Sequence, residues 1–174
     1  RHGAFSISEY RKLDYLPEAL LNYMILLGWA PRNKKEKFKI DDIIDTFDIG
    51  TMSKASSVFD QQKLDWLSGQ YTREADLERL TNLAIPYVQA AGFISADENK
   101  IDRAHLSLIV DAVRNNMSCM SQIVQEADIF FKDPVVSEKH VEFLSSEISQ
   151  SVLLSFYREL QKLDTLSPEI FKEA

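Results

Sequence analysis

At 174 residues and 45% apolar composition, the chain can bury a genuine core, as one domain or two small ones. Five Gly, five Pro and no low-complexity tract exclude extended disorder, and no apolar run approaches the ~20 residues of a membrane span. The net charge of −7 argues against a wholly basic binding face, leaving a local cluster at Arg32-Asn-Lys-Lys-Glu-Lys-Phe-Lys39 and a smaller one at Arg11-Lys12.

In chain order, Leu16 to Leu27 reads as a helix with Leu20, Met24 and Leu27 inward and Leu21 and Ile25 beside them. Gly28 stands at its C-cap, and Pro31 prevents continuation. Two short helices come next, Asp41–Phe47 and Gln61–Gln70, separated by a Gly/Ser/Thr-rich loop carrying Lys54. Asp60 is placed as an N-cap, because its carboxylate can accept the orphan N–H groups of the first turn. From Glu74, the positions Leu77, Leu80, Leu83, Ala84, Tyr87 and Val88 recur at helical spacing. Pro86 predicts a kink or break near Ile85, and Ala90-Ala-Gly92 closes the stretch.

Asp102 can cap a helix through Asn115 with Leu106, Ile109, Val110 and Val113 inward. Ser118 can start the next, through Ala127, with Ile123 inward. Phe130-Phe131 anchors a turn ending at Asp133-Pro134, and Ser137 caps another helix. The polar Ser145–Ser151 stretch marks a boundary before a helix over Val152–Leu163. No run alternates with period two over six or more residues, so the fold class is all-α. A short pair of extended segments near Phe5 and Phe38 is the sole exception expected.

The residue inventory points away from catalysis. His2, His105 and His140 lie far apart, with no Cys, Asp or Glu at metal-ligand spacing, and His105 reads as a partly buried helix residue. Asp41-Asp42 sit in a first turn, where carboxylates favour the helix dipole, and point ~100° apart, unlike an acid/base dyad. Cys119 beside Met117 and Met120 reads as a small core residue, and a lone cysteine excludes an internal disulfide. There is no nucleophile motif and no Gly-rich phosphate loop, so the expectation is no catalytic residue, no metal and no cofactor in this chain.

The wording of two segments is specific. Leu16-Pro-Glu-Ala-Leu-Leu-Asn-Tyr-Met-Ile-Leu-Leu-Gly-Trp29, and the later Ser53-Lys54 loop leading to Phe59-Asp60, Lys63-Leu-Asp-Trp-Leu67 and Gln70-Tyr71, resemble bacterial-type glutamyl-tRNA synthetases in the stretch after the catalytic domain. Arg1-His2-Gly3 resembles the end of that family's ATP-phosphate loop, its version of the class I KMSKS motif. Thr51-Met52-Ser53-Lys54-Ala55-Ser56 looks superficially like KMSKS but corresponds to the later Ser-Lys loop. Because the ATP-loop lysines would precede Arg1, and Ser167-Pro168-Glu169 starts a helix with few residues after it, the sequence reads as a fragment.

The resemblance implies a tRNA-binding part of a class I glutamate–tRNA ligase, whose parent attaches glutamate to tRNA using ATP with Mg. It implies residues 1–72 as a stem-contact region beginning at the end of the KMSKS-type loop. Residues 73–162 would be the first α-helical anticodon-binding subdomain, the bacterial helical cage, and 163–174 the start of a truncated second one. The partners implied are tRNA directly, and ATP and glutamate through the catalytic domain, in a monomeric, cytoplasmic protein with no membrane contact. The tRNA-binding residues it directs attention to are Lys54, Lys63, Arg73, Arg114 and Asn116. In many members the stretch matching Arg114–Met117 carries a second basic residue and an aromatic, where this chain has Asn116 and Met117. Lys63 and Arg73 can equally form surface ion pairs, for instance with Asp60 or Asp76. Trp66 is expected to pack with Leu64 and Leu67 as a rigid joint. The rival expectation is a non-catalytic helical protein-interaction scaffold.

Overall fold

The computed structural model describes residues 6–29, 35–53, 58–133 and 135–162. Arg1-His2-Gly3, Phe5, Pro31, Lys54, Pro134 and the segment from Leu163 onward lie outside the described residues. Among the described residues the regular structure is helical, with no strand. The helices are α1 (Ile7–Lys12), α2 (Pro17–Gly28), α3 (Ile40–Thr46), α4 (Gln61–Glu74), α5 (Leu77–Ala90), α6 (Arg103–Val113), α7 (Ile123–Glu126), α8 (Glu138–Leu144) and α9 (Glu147–Leu160). Short 3₁₀ turns at Arg114–Asn116 and Met120–Gln122 link α6 to α7, and a third at Asp128–Phe130 comes after α7.

Side-chain caps set several of the helix starts. Asp60, Asp76 and Asp102 accept the backbone N–H of Lys63 at 3.1 Å, Arg79 at 2.8 Å and His105 at 3.0 Å. Each satisfies an orphan donor of its first turn. Gly92, at φ +73, takes the left-handed conformation that ends α5.

The chain divides into two compact units between Lys132 and Asp133. In the first, α5 and α6 pack together with the 117–127 turns around Leu80, Ala84, Val88, Leu106, Val110, Met117 and Ile123. A second cluster joins α2 and α4 through Tyr15, Tyr23, Leu64 and Leu67, with Cys119 buried against it. Burial pushes the Cys119 thiol pKa up, which keeps it an inert packing group. Trp29, Phe38 and Ile43 form a third, smaller cluster. The second unit contains α8 and α9.

Three helix readings need correction. The inward face of α2 is Ala19, Asn22 and Tyr23, while Leu21 and Met24 are 41% and 53% exposed. The buried asparagine explains the rotation: its amide satisfies the backbone of a neighbouring segment. Pro86 does not break α5, which runs unbroken from Leu77 to Ala90. Pro86 lies on the exposed side while Leu80, Thr81, Ala84, Ile85 and Val88 stay buried, so packing outweighs a local cost of ~3 kcal/mol. Finally, α9 starts at Glu147, because Ser146 accepts the Ser149 N–H at 3.3 Å and caps it within the polar stretch, so the helix begins before Val152.

Trp66 is also corrected. It is 50% exposed, whereas Leu64 and Leu67 are fully buried. At 100° per residue Trp66 points well away from both. Trp66→Ala is therefore expected to shift stability by less than ~1 kcal/mol, as for surface positions. Thermal melting checks this, and a large drop in Tm would show that the indole is a packing joint.

Candidate nucleic-acid interface

The corner where α4 ends and α6 exits gathers three of the predicted residues. The buried face of α4, with Leu64, Leu67, Ser68 and Thr72, lies against the 114–119 turn. The Ser68 hydroxyl donates to the Ser118 carbonyl at 2.5 Å. The Arg73 guanidinium donates to the Asn115 carbonyl at 3.1 Å. From the far side, Gln122 Oε1 accepts the Ser118 N–H at 2.7 Å. Met117 is buried beneath the turn at 1% exposure, so it serves the core and no ligand.

The turn is thus held by side chains from both flanks, and it presents Asn115 and Asn116 to solvent. Arg114 is the last rung before it. Its guanidinium pairs with Asp111 at 2.9 Å and reaches the Ala75 carbonyl at 3.5 Å, leaving the side chain 27% exposed. Such a guanidinium is pre-positioned, with donors in a planar fork suited to bases and phosphates.

Lys63 does not join this corner. It lies ten residues before Arg73 on α4, ~15 Å along the axis, and pairs with Glu36 at 2.6 Å. Neither Lys63 nor Arg73 pairs with Asp60 or Asp76 among the described residues; Glu36 and the Asn115 carbonyl are their partners instead. Lys54 lies outside the described residues. His105 is exposed, correcting the partly buried reading. Among the described residues no group of three or more His, Cys, Asp or Glu could hold a metal ion, and no helix is long and apolar enough to cross a membrane.

Sequence reasoning missed Asn22. Fully buried, it donates from Nδ2 to the Glu36 carbonyl at 2.9 Å and accepts the Phe38 N–H at 2.8 Å. The Tyr71 hydroxyl lies 2.6 Å from Asn22 Oδ1 and 2.5 Å from the Phe38 carbonyl. A polar residue inside the apolar run Leu20–Leu27 was the available signal. It also missed the network of Tyr15, Gln61 and Asp65, in which the Tyr15 hydroxyl donates to Asp65 at 2.5 Å and Gln61 donates to both. Burial, then the Asp65 partner, raises the Tyr15 pKa, so this phenol stays protonated.

Residues 1–66 match the family model for tRNA synthetases class I (E and Q), catalytic domain, and residues 79–174 match the anticodon binding domain. Fold and matches together define the class: part of a class I tRNA synthetase, with a helical anticodon-binding domain over residues 79–174. The glutamate–tRNA ligase of Desulforamulus reducens is 45% identical over 135 residues, 78% of this chain and 28% of the relative. That of Heliobacterium modesticaldum is 36% identical over 174 residues, 99% of this chain and 35% of the relative. The crystal structure of a glutamate tRNA ligase from Elizabethkingia meningosepticum shares the fold, with TM-score 0.71 at 24% identity, over 89% of this chain and 30% of that one. The chain belongs to the glutamate–tRNA ligase family, and it spans about a third of the length of these relatives.

Proposed function

We propose that this chain is the tRNA-binding part of a glutamate–tRNA ligase that joins glutamate to its tRNA with ATP through an aminoacyl-adenylate. ATP, with Mg, and glutamate belong to the catalytic part of such an enzyme; this chain supplies grip on the RNA. Residues 1–72 contact the inner stem, 73–162 form the first anticodon-binding subdomain, and 163–174 begin a second. The separate family-model matches to 1–66 and 79–174 support a division in this region. The working form is a cytoplasmic monomer.

The observation that carries this reading is the braced turn, in which Arg73, Ser68 and Gln122 hold the 114–119 backbone, Asn116 is exposed and Arg114, paired with Asp111, is partly exposed beside it. RNA is read mainly through splayed loop bases, shape and phosphates. A rigid corner carrying a guanidinium to stack or bridge and an amide to bond a base edge meets that need. Lys63, ~15 Å along α4 from Arg73, acts as a phosphate contact, as does Lys54, and both position the RNA without reading its sequence.

A second reading, a protein-interaction scaffold, draws on the second unit. There Val152, Leu153, Phe156 and Tyr157 of α9 are each about half exposed or more, an apolar face of the kind that docks on proteins. A gel-shift titration of the chain against cognate and non-cognate tRNA at low salt separates the two. The RNA reading predicts binding that weakens steeply with salt and prefers the cognate tRNA. No shift with either tRNA would leave the scaffold as the function.

A further inference from the structure

The basic cluster that the proposed corner does not use lies around Asn22 and Tyr71. Asn22 bonds the backbone on both sides of Lys37, at the Glu36 carbonyl and the Phe38 N–H. Phe38 is buried against Trp29, with ring centroids 5.9 Å apart. With Phe38 turned inward, Lys35, Lys37 and Lys39 line one open cleft of ≈360 Å³ beside Tyr71.

Each lysine has a defined setting. The Lys37 ammonium lies 4.9 Å above the Tyr71 ring centroid, donates to the Gln70 carbonyl at 3.1 Å and pairs with Glu74 at 2.6 Å. Lys35 pairs with Asp42 at 3.3 Å. Lys39 is exposed and makes no ion pair with a described residue. Of the three carboxylates lining the cleft, Glu18 is already neutralised by a two-point contact with Arg79, at 2.6 and 3.1 Å. Although partial burial pushes its pKa up, Arg79 outweighs that and keeps the carboxyl below its usual range. Glu74 is the partner of Lys37: that hydrogen bond and charge contact hold its pKa down, so it is ionised at neutral pH.

We propose that this cleft is a second RNA-backbone site, in which Lys35, Lys37 and Lys39 take consecutive phosphates of a duplex stem and a phosphate displaces Glu74 from Lys37. The proposal rests on the tRNA-binding reading and extends it to a lysine-lined cleft that adjoins the anticodon corner at Ala75. Lysine ammoniums are point charges that bind phosphate without reading sequence, and one clamped segment supplies three at a single cleft. Lys37 keeps its Gln70 bond during the exchange, so the site is preassembled. Cognate and non-cognate RNAs are therefore gripped equally here.

The test is equilibrium binding of the full chain to tRNA and to a stem-only RNA duplex across a salt series. The variants are Lys35→Ala/Lys37→Ala/Lys39→Ala, Lys39→Ala alone, Glu74→Gln, and Glu98→Gln as an equal-charge control in an exposed turn. Each lost phosphate contact lowers the log–log salt slope by ~0.7–0.9. The triple variant is expected to lose about two to three units of slope on both RNAs, and Lys39→Ala about one. Glu74→Gln is expected to bind both RNAs several-fold tighter than wild type and tighter than the Glu98→Gln control. The single variant keeps the test valid if the triple variant folds poorly. If wild type binds tRNA but the lysine variants keep its slope, or Glu74→Gln matches Glu98→Gln, the cleft is a structural ion-pair cluster and the anticodon-corner reading stands. If wild type binds neither RNA at low salt, both proposals fall.

Discussion

Replacing Leu80 with alanine is expected to destabilise the first unit by ~2–5 kcal/mol, the usual range for a truncated core leucine. Leu80 has no exposed surface and sits among Ala84, Val88, Leu106, Val110 and Ile123, where α5 meets α6 and α7. The site is lined from several elements, so a cavity there cannot close by moving one side chain. Unfolding in denaturant, followed by circular dichroism, measures the effect. A loss below about 1 kcal/mol would mean that α5 is not the centre of this core.

The second large effect is expected at Asn22. Asn22→Leu keeps the side-chain volume near its original value but removes the partners of the Phe38 N–H and the Glu36 carbonyl. A buried donor or acceptor left unsatisfied costs ~1–3 kcal/mol, and the Phe38 N–H is buried. A loss of about 2–4 kcal/mol is expected, together with much faster hydrogen exchange at the Phe38 amide. Tyr71 retains the Phe38 carbonyl as a partner, so the segment should loosen without α4 unravelling. Unchanged exchange at Phe38 would show that Asn22 does not hold this segment.

These two positions illustrate what the amino-acid order reveals. The α6 face is legible residue by residue, since Leu106, Ile109, Val110 and Val113 recur at helical spacing and all four are buried. Leu80 follows the same logic on α5. Asn22 does not, because its burial depends on backbone groups fourteen and sixteen residues away that no local pattern displays. Placing it inward turns α2 and leaves Met24 and Leu21 outside, which periodicity alone assigned to the core. Trp66 misled for a related reason: its place between Leu64 and Leu67 suggested a shared packing face, but its angle on α4 leaves it outside while Leu64, Leu67 and Ser68 are inside. Pro86 shows a long-range term overriding a local one, since α6 supports α5 on both sides of the proline.

The candidate site was legible in part. The resemblance singled out Arg73, Arg114 and Asn116, and the fold gathers them at one corner. What could not be read was how that corner is held, because Ser68 and Gln122 act through backbone atoms of Ser118. Their sequence neighbourhood carries no sign of the role.

The central claim, that the braced turn reads the anticodon loop, is tested most directly by one ratio: the affinity for cognate tRNA divided by that for an anticodon-swapped tRNA. It should be measured for wild type, Arg114→Ala and Arg114→Lys. Losing a specific guanidinium contact costs roughly 1–3 kcal/mol, so Arg114→Ala should lower the ratio about five-fold or more. Arg114→Lys should recover only part of it, since lysine keeps the charge but lacks the planar fork. An unchanged ratio for Arg114→Ala would mean that Arg114 does no more than pair with Asp111 at the end of α6, and the anticodon assignment would be wrong.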